Sequence, residues 1–228
     1  VKYIILFFCL ISNVFAQNQN QFTIKTSEIF QLFQEDFKTA NRPTDLDLFW
    51  KGKLPMAISD YDKSKSRYGV SFWGGLYRHE KNTERTWAFA VCHELGHILG
   101  GAPTSSLTDY EWGSSEGQAD YFAAGKCLKR YYESLYQRLS IQLPKNEWIY
   151  NEILVTAQEM SDFFNYEATT KMELSSIGNK DLTEVLESIR NGYPTNQCRI
   201  DTIVAGVLCE NWPCLTGKGM RPRCWFKN

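Results

Sequence analysis

At 228 residues the chain is long enough for one medium-sized domain with its own core. Hydrophobic residues at 43% and aromatics at 14% exclude a disordered chain, and charged residues at 22% are ordinary for a globular protein. With 25 Lys and Arg against 26 Asp and Glu, the formal charge of −1 lacks the basic footprint that nucleic-acid binding leaves.

Lys2 is followed by an apolar run from Tyr3 to Leu10 that continues, with interruptions, to Phe15. Val14-Phe15-Ala16 places modest or small side chains at the positions a signal peptidase reads, and a polar Gln/Asn stretch follows. The pattern predicts a secretory signal over residues 1–16, cleaved after Ala16, and a secreted or periplasmic chain. The run is shorter than the roughly 20 residues a membrane-spanning helix needs, so no stable membrane insertion is expected. Beyond it lie Cys92, Cys127, Cys198, Cys209, Cys214 and Cys224, an even set that in an exported chain predicts disulfides. Sequence leaves their pairing open; Cys92–Cys127 is one candidate bridge, and residues 198–228 read as a crosslinked C-terminal segment.

Thr26 or Ser27 can cap a helix that carries Ile29, Phe30, Phe33 and Phe37 on one side and ends before Pro43. Residues 53–60 and 68–73 read as strands, with a turn or bulge at Gly74-Gly75. A helix is predicted from about Thr83 to Leu99, capped by Asn82 or Thr83 and stopped by Gly100-Gly101. Another runs from near Ser115 through Ala123 and Cys127 towards Leu139. Further helical patterns cover about 146–165, 181–190 and 198–209. Helices outnumber strands, so the class is α+β with a small sheet.

The chemistry concentrates in Cys92-His93-Glu94-Leu95-Gly96-His97. Histidines one helical turn apart project from one face, so both imidazoles can reach a single ion. Glu94 is turned about 100° away by the helical period, which sets its carboxylate beside the metal as a general base rather than on it. A catalytic zinc site needs a third protein ligand and an open position. His79 is the one other histidine, and Pro103 stands where a third histidine of the metzincin pattern would be. A carboxylate must complete the set. Glu116 is the favoured ligand because Asp120, one turn later, can hold a ligating imidazole by its other nitrogen; Glu111 is the competitor. Gly96, costly inside a helix, suggests that something needs the space beside it.

His93-Glu94-x-x-His97 with Glu116-Gly117-Gln118-Ala119-Asp120-Tyr121-Phe122-Ala123 resembles the gluzincin clan of zinc metallopeptidases, and in particular the E-x-x-A-D-x-x-A signature of the CAAX-prenyl-protease-like group. The likeness covers residues 93–123; it departs from that group's membrane members in having no transmembrane run. The resemblance implies a zincin-like fold over residues 17–197, with a small mixed sheet over the metal-binding helix and a mostly helical remainder; it says nothing of the segment at 198–228, which the cysteines alone make disulfide-stapled. It also implies a Zn2+ cofactor, a peptide or protein substrate, and a substrate-binding edge strand. Val70, Ser71, Phe72 and Trp73 are the candidate substrate strand, with an ordinary core strand as the alternative. His79, Tyr121, Tyr193 and Arg199 are all conceivable oxyanion donors.

The expected function is peptide-bond hydrolysis by a metal-activated water with Glu94 as base, in a chain acting as a monomer. The rival is a catalytically silent, exported, zinc-containing binding module. A third possibility is a precursor held inactive by residues 17 to about 54.

Overall fold

The computed structural model describes residues 18–227; the expected signal segment lies outside them. The class is α+β: a three-stranded sheet and a larger set of helices share the main core, and a second, smaller cluster forms around Tyr121, Cys198 and Trp225.

Helix α1 (Gln19–Gln31) begins earlier than expected. Asn18, not Thr26 or Ser27, caps it by accepting the Gln21 amide at 2.9 Å, so much of the Gln/Asn stretch is helical. Thr26 sits mid-helix instead, buried, donating to the Phe22 carbonyl at 2.6 Å and accepting the Trp87 indole N–H at 3.1 Å. The chain breaks at Leu32-Phe33 and resumes as α2 (Gln34–Thr39), which buries Phe37. The two short helices close one side of the core.

Strand β1 (Thr44–Phe49) was not expected from the sequence, although Leu46 and Leu48 alternate with exposed Asp45 and Asp47 in the strand period. β2 (Ala57–Asp62) and β3 (Arg67–Trp73) fall close to the expected runs. The strand order is β1-β3-β2, with β1 parallel and β2 antiparallel to β3. Gly74-Gly75 opens a single helical turn, α3 (Gly74–Tyr77), rather than a bulge.

Helix α4 (Glu84–Leu99) carries the histidines. Thr83 and Thr86 form a reciprocal capping box at its start. Nearly every residue of α4 is buried, because α1, α5, α7 and the sheet all pack against it. After the loop to Ser115 come α5 (Glu116–Phe122), a π-helical segment (Ala123–Cys127) and α6 (Leu128–Leu139), running on without a break. α7 (Lys145–Glu167) and α8 (Asn196–Leu208) complete the helical layer.

No helix forms at 181–190. The Val185 amide bonds the Arg223 carbonyl at 3.0 Å and the Ile189 amide the Trp225 carbonyl at 2.8 Å, so the segment lies as a strap against the C-terminal residues. Leu182 and Leu186, the apolar stripe of the expected helix, are 86% and 88% exposed. With nothing to cover that stripe, the amphipathic pattern gains nothing from helix formation.

Three disulfides, Cys92–Cys127, Cys198–Cys224 and Cys209–Cys214, use all six cysteines of the described residues. The first ties the metal-motif helix to the π segment. The C-terminal segment is crosslinked as expected, but the boundary at 198 falls inside α8, which packs on α5, α7 and the π segment. No helix among the described residues is long and apolar enough to cross a membrane.

Candidate metal centre

His93 and His97 stack one turn apart on α4, their ring centroids 4.7 Å apart and their planes nearly perpendicular. Together with Glu94 they form a buried group that could hold a metal ion, with ligating atoms within 4.8 Å of one another. α5 brings up a further carboxylate. Glu116 Oε2 lies 3.1 Å from His93 Nε2 and 3.7 Å from His97 Nε2, and the two Nε2 atoms are 3.1 Å apart. Glu111, the competing acid, is exposed in the preceding loop.

This convergence depends on Gly96. A Cβ there would meet the Ala119 Cα at 2.9 Å and its carbonyl oxygen at 2.8 Å, closer than packed atoms allow. The absent side chain lets α5 cross tight against α4. The space suspected beside the metal is therefore taken by the backbone of the helix that delivers Glu116.

The other imidazole nitrogens fix the tautomers. His97 Nδ1 is 2.8 Å from the Ser114 carbonyl, which can only accept, so Nδ1 carries the proton. His93 Nδ1 lies 2.8 Å from Asp120 Oδ1. In neutral rings both Nε2 atoms then turn lone pairs towards Glu116. Glu116 Oε2 is buried without a hydrogen-bond partner. Three electron-rich atoms thus face one another with no donor between them, and such an arrangement fits a cation. Burial disfavours charge on His93, but Asp120 and Glu116 outweigh it and push its pKa up to about 10. The carboxylates demand positive charge here, supplied by a second proton or by a metal. Burial likewise raises the Glu116 carboxyl, yet His93 and then His97 hold it below its usual range.

Asp120 is fully buried and held from two sides. Arg199 on α8 grips it with Nε at 2.7 Å from Oδ2 and a terminal nitrogen at 2.9 Å from Oδ1. Burial opposes its charge, but Arg199 and His93 hold its carboxyl far below the ordinary range, and Arg199 is raised in return. The sequence offered Arg199 as an oxyanion donor; its fork is spent on orienting the aspartate. His79 is also removed from that role, since it pairs with Glu167 at 3.1 Å and packs on Phe163 and Tyr166. The Tyr121 hydroxyl is turned away to the Gly219 carbonyl. Tyr193 remains at the rim of a cavity shared with His93 and Glu94, its ring 4.8 Å from the Arg199 guanidinium. Tyr110, not singled out from sequence, packs its ring 5.8 Å from that of His97. Burial, then Glu94 and Glu116, keep its phenol protonated well above the usual pKa.

Glu94 Oε2 accepts from the Ser59 hydroxyl at 2.5 Å, and the same hydroxyl reaches the Glu94 carbonyl at 2.9 Å. Ser59 is on β2, and sequence gave no signal for it: a serine within a strand is unremarkable until the fold lays that strand on the helix. The expectation that Val70–Trp73 is the substrate strand is overturned. β3 is the central strand with both edges paired, and the edge strand beside α4 is β2.

A larger cleft, about 1030 Å³, lies at the far end of α4 among Tyr77, His79, Tyr131, Trp148 and Glu152 and holds none of His93, Glu94, His97 or Glu116. No known protein family, curated protein or solved structure matches this chain.

Proposed function

We propose that the chain is an exported zinc-dependent peptidase of gluzincin type, with His93, His97 and Glu116 as metal ligands and Glu94 as general base. The observation that carries this reading is the meeting of two Nε2 atoms and an orphaned carboxylate oxygen at 3.1–3.7 Å. Two imidazoles and one carboxylate suit zinc, and three protein ligands leave a position for solvent or substrate, as catalytic rather than structural sites do. Charge balance agrees. Arg199 neutralises Asp120, while Glu94 and Glu116 leave two negative charges for a divalent ion.

A bound zinc would lower the pKa of coordinated water and polarise the substrate carbonyl. The protein's own groups do the rest. Glu94 takes the proton of the attacking water and passes it to the leaving amine, with Ser59 fixing its carboxylate. Asp120, locked by Arg199, holds the His93 ring at the angle that aims Nε2. The Tyr193 hydroxyl, at the rim, is our candidate donor to the oxyanion. The peptide backbone would pair with the open edge of β2.

The test is metal analysis of residues 17–228 followed by unbiased peptide-cleavage profiling. About one zinc per chain with cleavage abolished by Glu94→Gln is expected. Bound zinc with no cleavage of any peptide would replace this reading by a silent binding module.

A further inference from the structure

The three disulfides are not equivalent. Cys92–Cys127 and Cys198–Cys224 span 35 and 26 residues, and all four of their cysteines are buried. Cys209–Cys214 spans 5; Cys209 is buried, but Cys214 is partly exposed. Thiol–disulfide exchange needs a thiolate to reach one sulfur, and among the described residues this is the bridge with a partly exposed cysteine. Its short loop adds the least to stability, so opening it leaves the fold standing while the two longer bridges hold. Attack at Cys214 makes Cys209 the leaving sulfur. Cys209 caps the end of α8, whose carbonyls disfavour a thiolate. Lys129 offsets that field, since its ammonium donates to the Cys209 carbonyl.

The bridged loop clamps α5. Trp212 lays its ring 4.5 Å from that of Tyr121 and 5.9 Å from that of Phe122. It fits because Gly125 has no side chain: a Cβ there would meet the Trp212 ring at 2.7 Å. The Cys214 amide donates to the Tyr121 hydroxyl at 3.3 Å, and that hydroxyl donates to the Gly219 carbonyl. Tyr121 directly follows Asp120 on the helix that carries Glu116.

We infer that Cys209–Cys214 is a thiol-exchange site, opened by a small dithiol, that latches α5 and with it the metal centre. The link to zinc rests on the proposed ligands; the exchange and the clamp do not. A reductant thiolate bonds to the Cys214 sulfur, the S–S bond breaks, and its electron pair leaves with Cys209, which takes up a proton. The reductant's second thiolate attacks its own sulfur in the mixed disulfide and releases Cys214, which is protonated in turn. Two electrons and two protons pass to the protein, and the dithiol becomes a disulfide. The loop carrying Trp212 is then no longer pinned at both ends, and α5 loses the clamp behind Asp120.

In the experiment, residues 17–228 are freed of metal, exposed to increasing dithiothreitol, alkylated with iodoacetamide and mapped by mass spectrometry. Zinc affinity and melting are measured after the reductant is removed. Cys209 and Cys214 should be labelled at a reductant level about tenfold or more below that for the other four cysteines. The opened chain should bind zinc about tenfold more weakly and melt lower. Because alkylation adds bulk, Cys209→Ser with Cys214→Ser should show the same two losses without any reagent. Lys129→Gln should slow the opening severalfold and leave zinc affinity unchanged. Earlier labelling of another pair, or selective opening with zinc affinity unchanged, overturns the latch. A parent chain that binds no zinc, yet melts lower once this bridge alone is open, overturns the metal reading and keeps the clamp on α5.

Discussion

Glu94 and Glu116 differ in what surrounds them, and that difference is why the proposed function makes one the base and the other a ligand. Glu94 is fixed by a hydroxyl on a neighbouring strand, whereas Glu116 turns a buried oxygen to the Nε2 atoms of His93 and His97 at 3.1 and 3.7 Å. Glu94→Gln should therefore keep zinc while hydrolysis falls by about 10²–10⁴, measured by metal content and turnover on one peptide. Ser59→Ala should lower turnover without changing zinc content, because only the carboxylate of the base is freed. Asp120→Asn should weaken zinc binding by about 10–100-fold, read by competition with a chromogenic chelator. The ligand motif was legible because helical spacing alone places His93, His97 and Glu94. Asp120 as the partner of one ligating imidazole was legible from its place one turn after Glu116; that the imidazole is His93 comes from the packing of α5 on α4. Ser59 and Tyr110 were not, since each becomes functional only through a tertiary contact.

Among the elements, α4 was readable nearly to the residue: a threonine cap, an uninterrupted run and a glycine stop agree with one another. The start of α1 was misread because several side chains in that stretch can cap a helix and only packing selects Asn18. β1 was overlooked although its alternation is visible, because six residues of mixed Asp and Leu make a weak signal. At 181–190 the opposite error arose: a helical stripe was present, but only Ile189 meets an apolar surface while Leu182 and Leu186 stay exposed. The crossing of α4 on α5 gives the sharpest test at this scale. Gly96→Ala should force the helices apart, costing about 1–3 kcal/mol as overpacking does and weakening zinc together with stability. Thermal melts with and without zinc would show both losses; an unchanged melt and unchanged zinc affinity would refute the role given to this crossing.

Across the whole molecule, the C-terminal segment braces the centre rather than forming a separate unit. Trp225 is fully buried against Gly117, next to the ligand, and Arg199 comes from α8. Opening Cys198–Cys224 by replacing both cysteines with serine should destabilise the fold by about 2–4 kcal/mol and reduce zinc retention as well, checked by denaturant titration with metal analysis. A different part of the molecule also contributes to acid sensitivity. Burial would raise the Asp36 carboxyl, but Arg130 and Lys126 hold it below 3.8. Its contribution is therefore complete above the unfolded value and disappears as pH falls through the lower folded one. Asp36→Asn should melt lower than the parent at neutral pH, and the gap should narrow below about pH 4.

The π turn at Ala123–Cys127 sets an angular phase between two tasks of one continuous rod. An α-helix advances about 100° per residue, so a turn that takes up an additional residue redirects every side chain beyond it. Upstream, Glu116 and Asp120 aim at the imidazoles; downstream, Leu128, Tyr131 and Tyr132 aim into the interior. Rewinding that stretch as ordinary helix would rotate one set against the other. The acid could then stay on target only by swinging the tyrosines towards water.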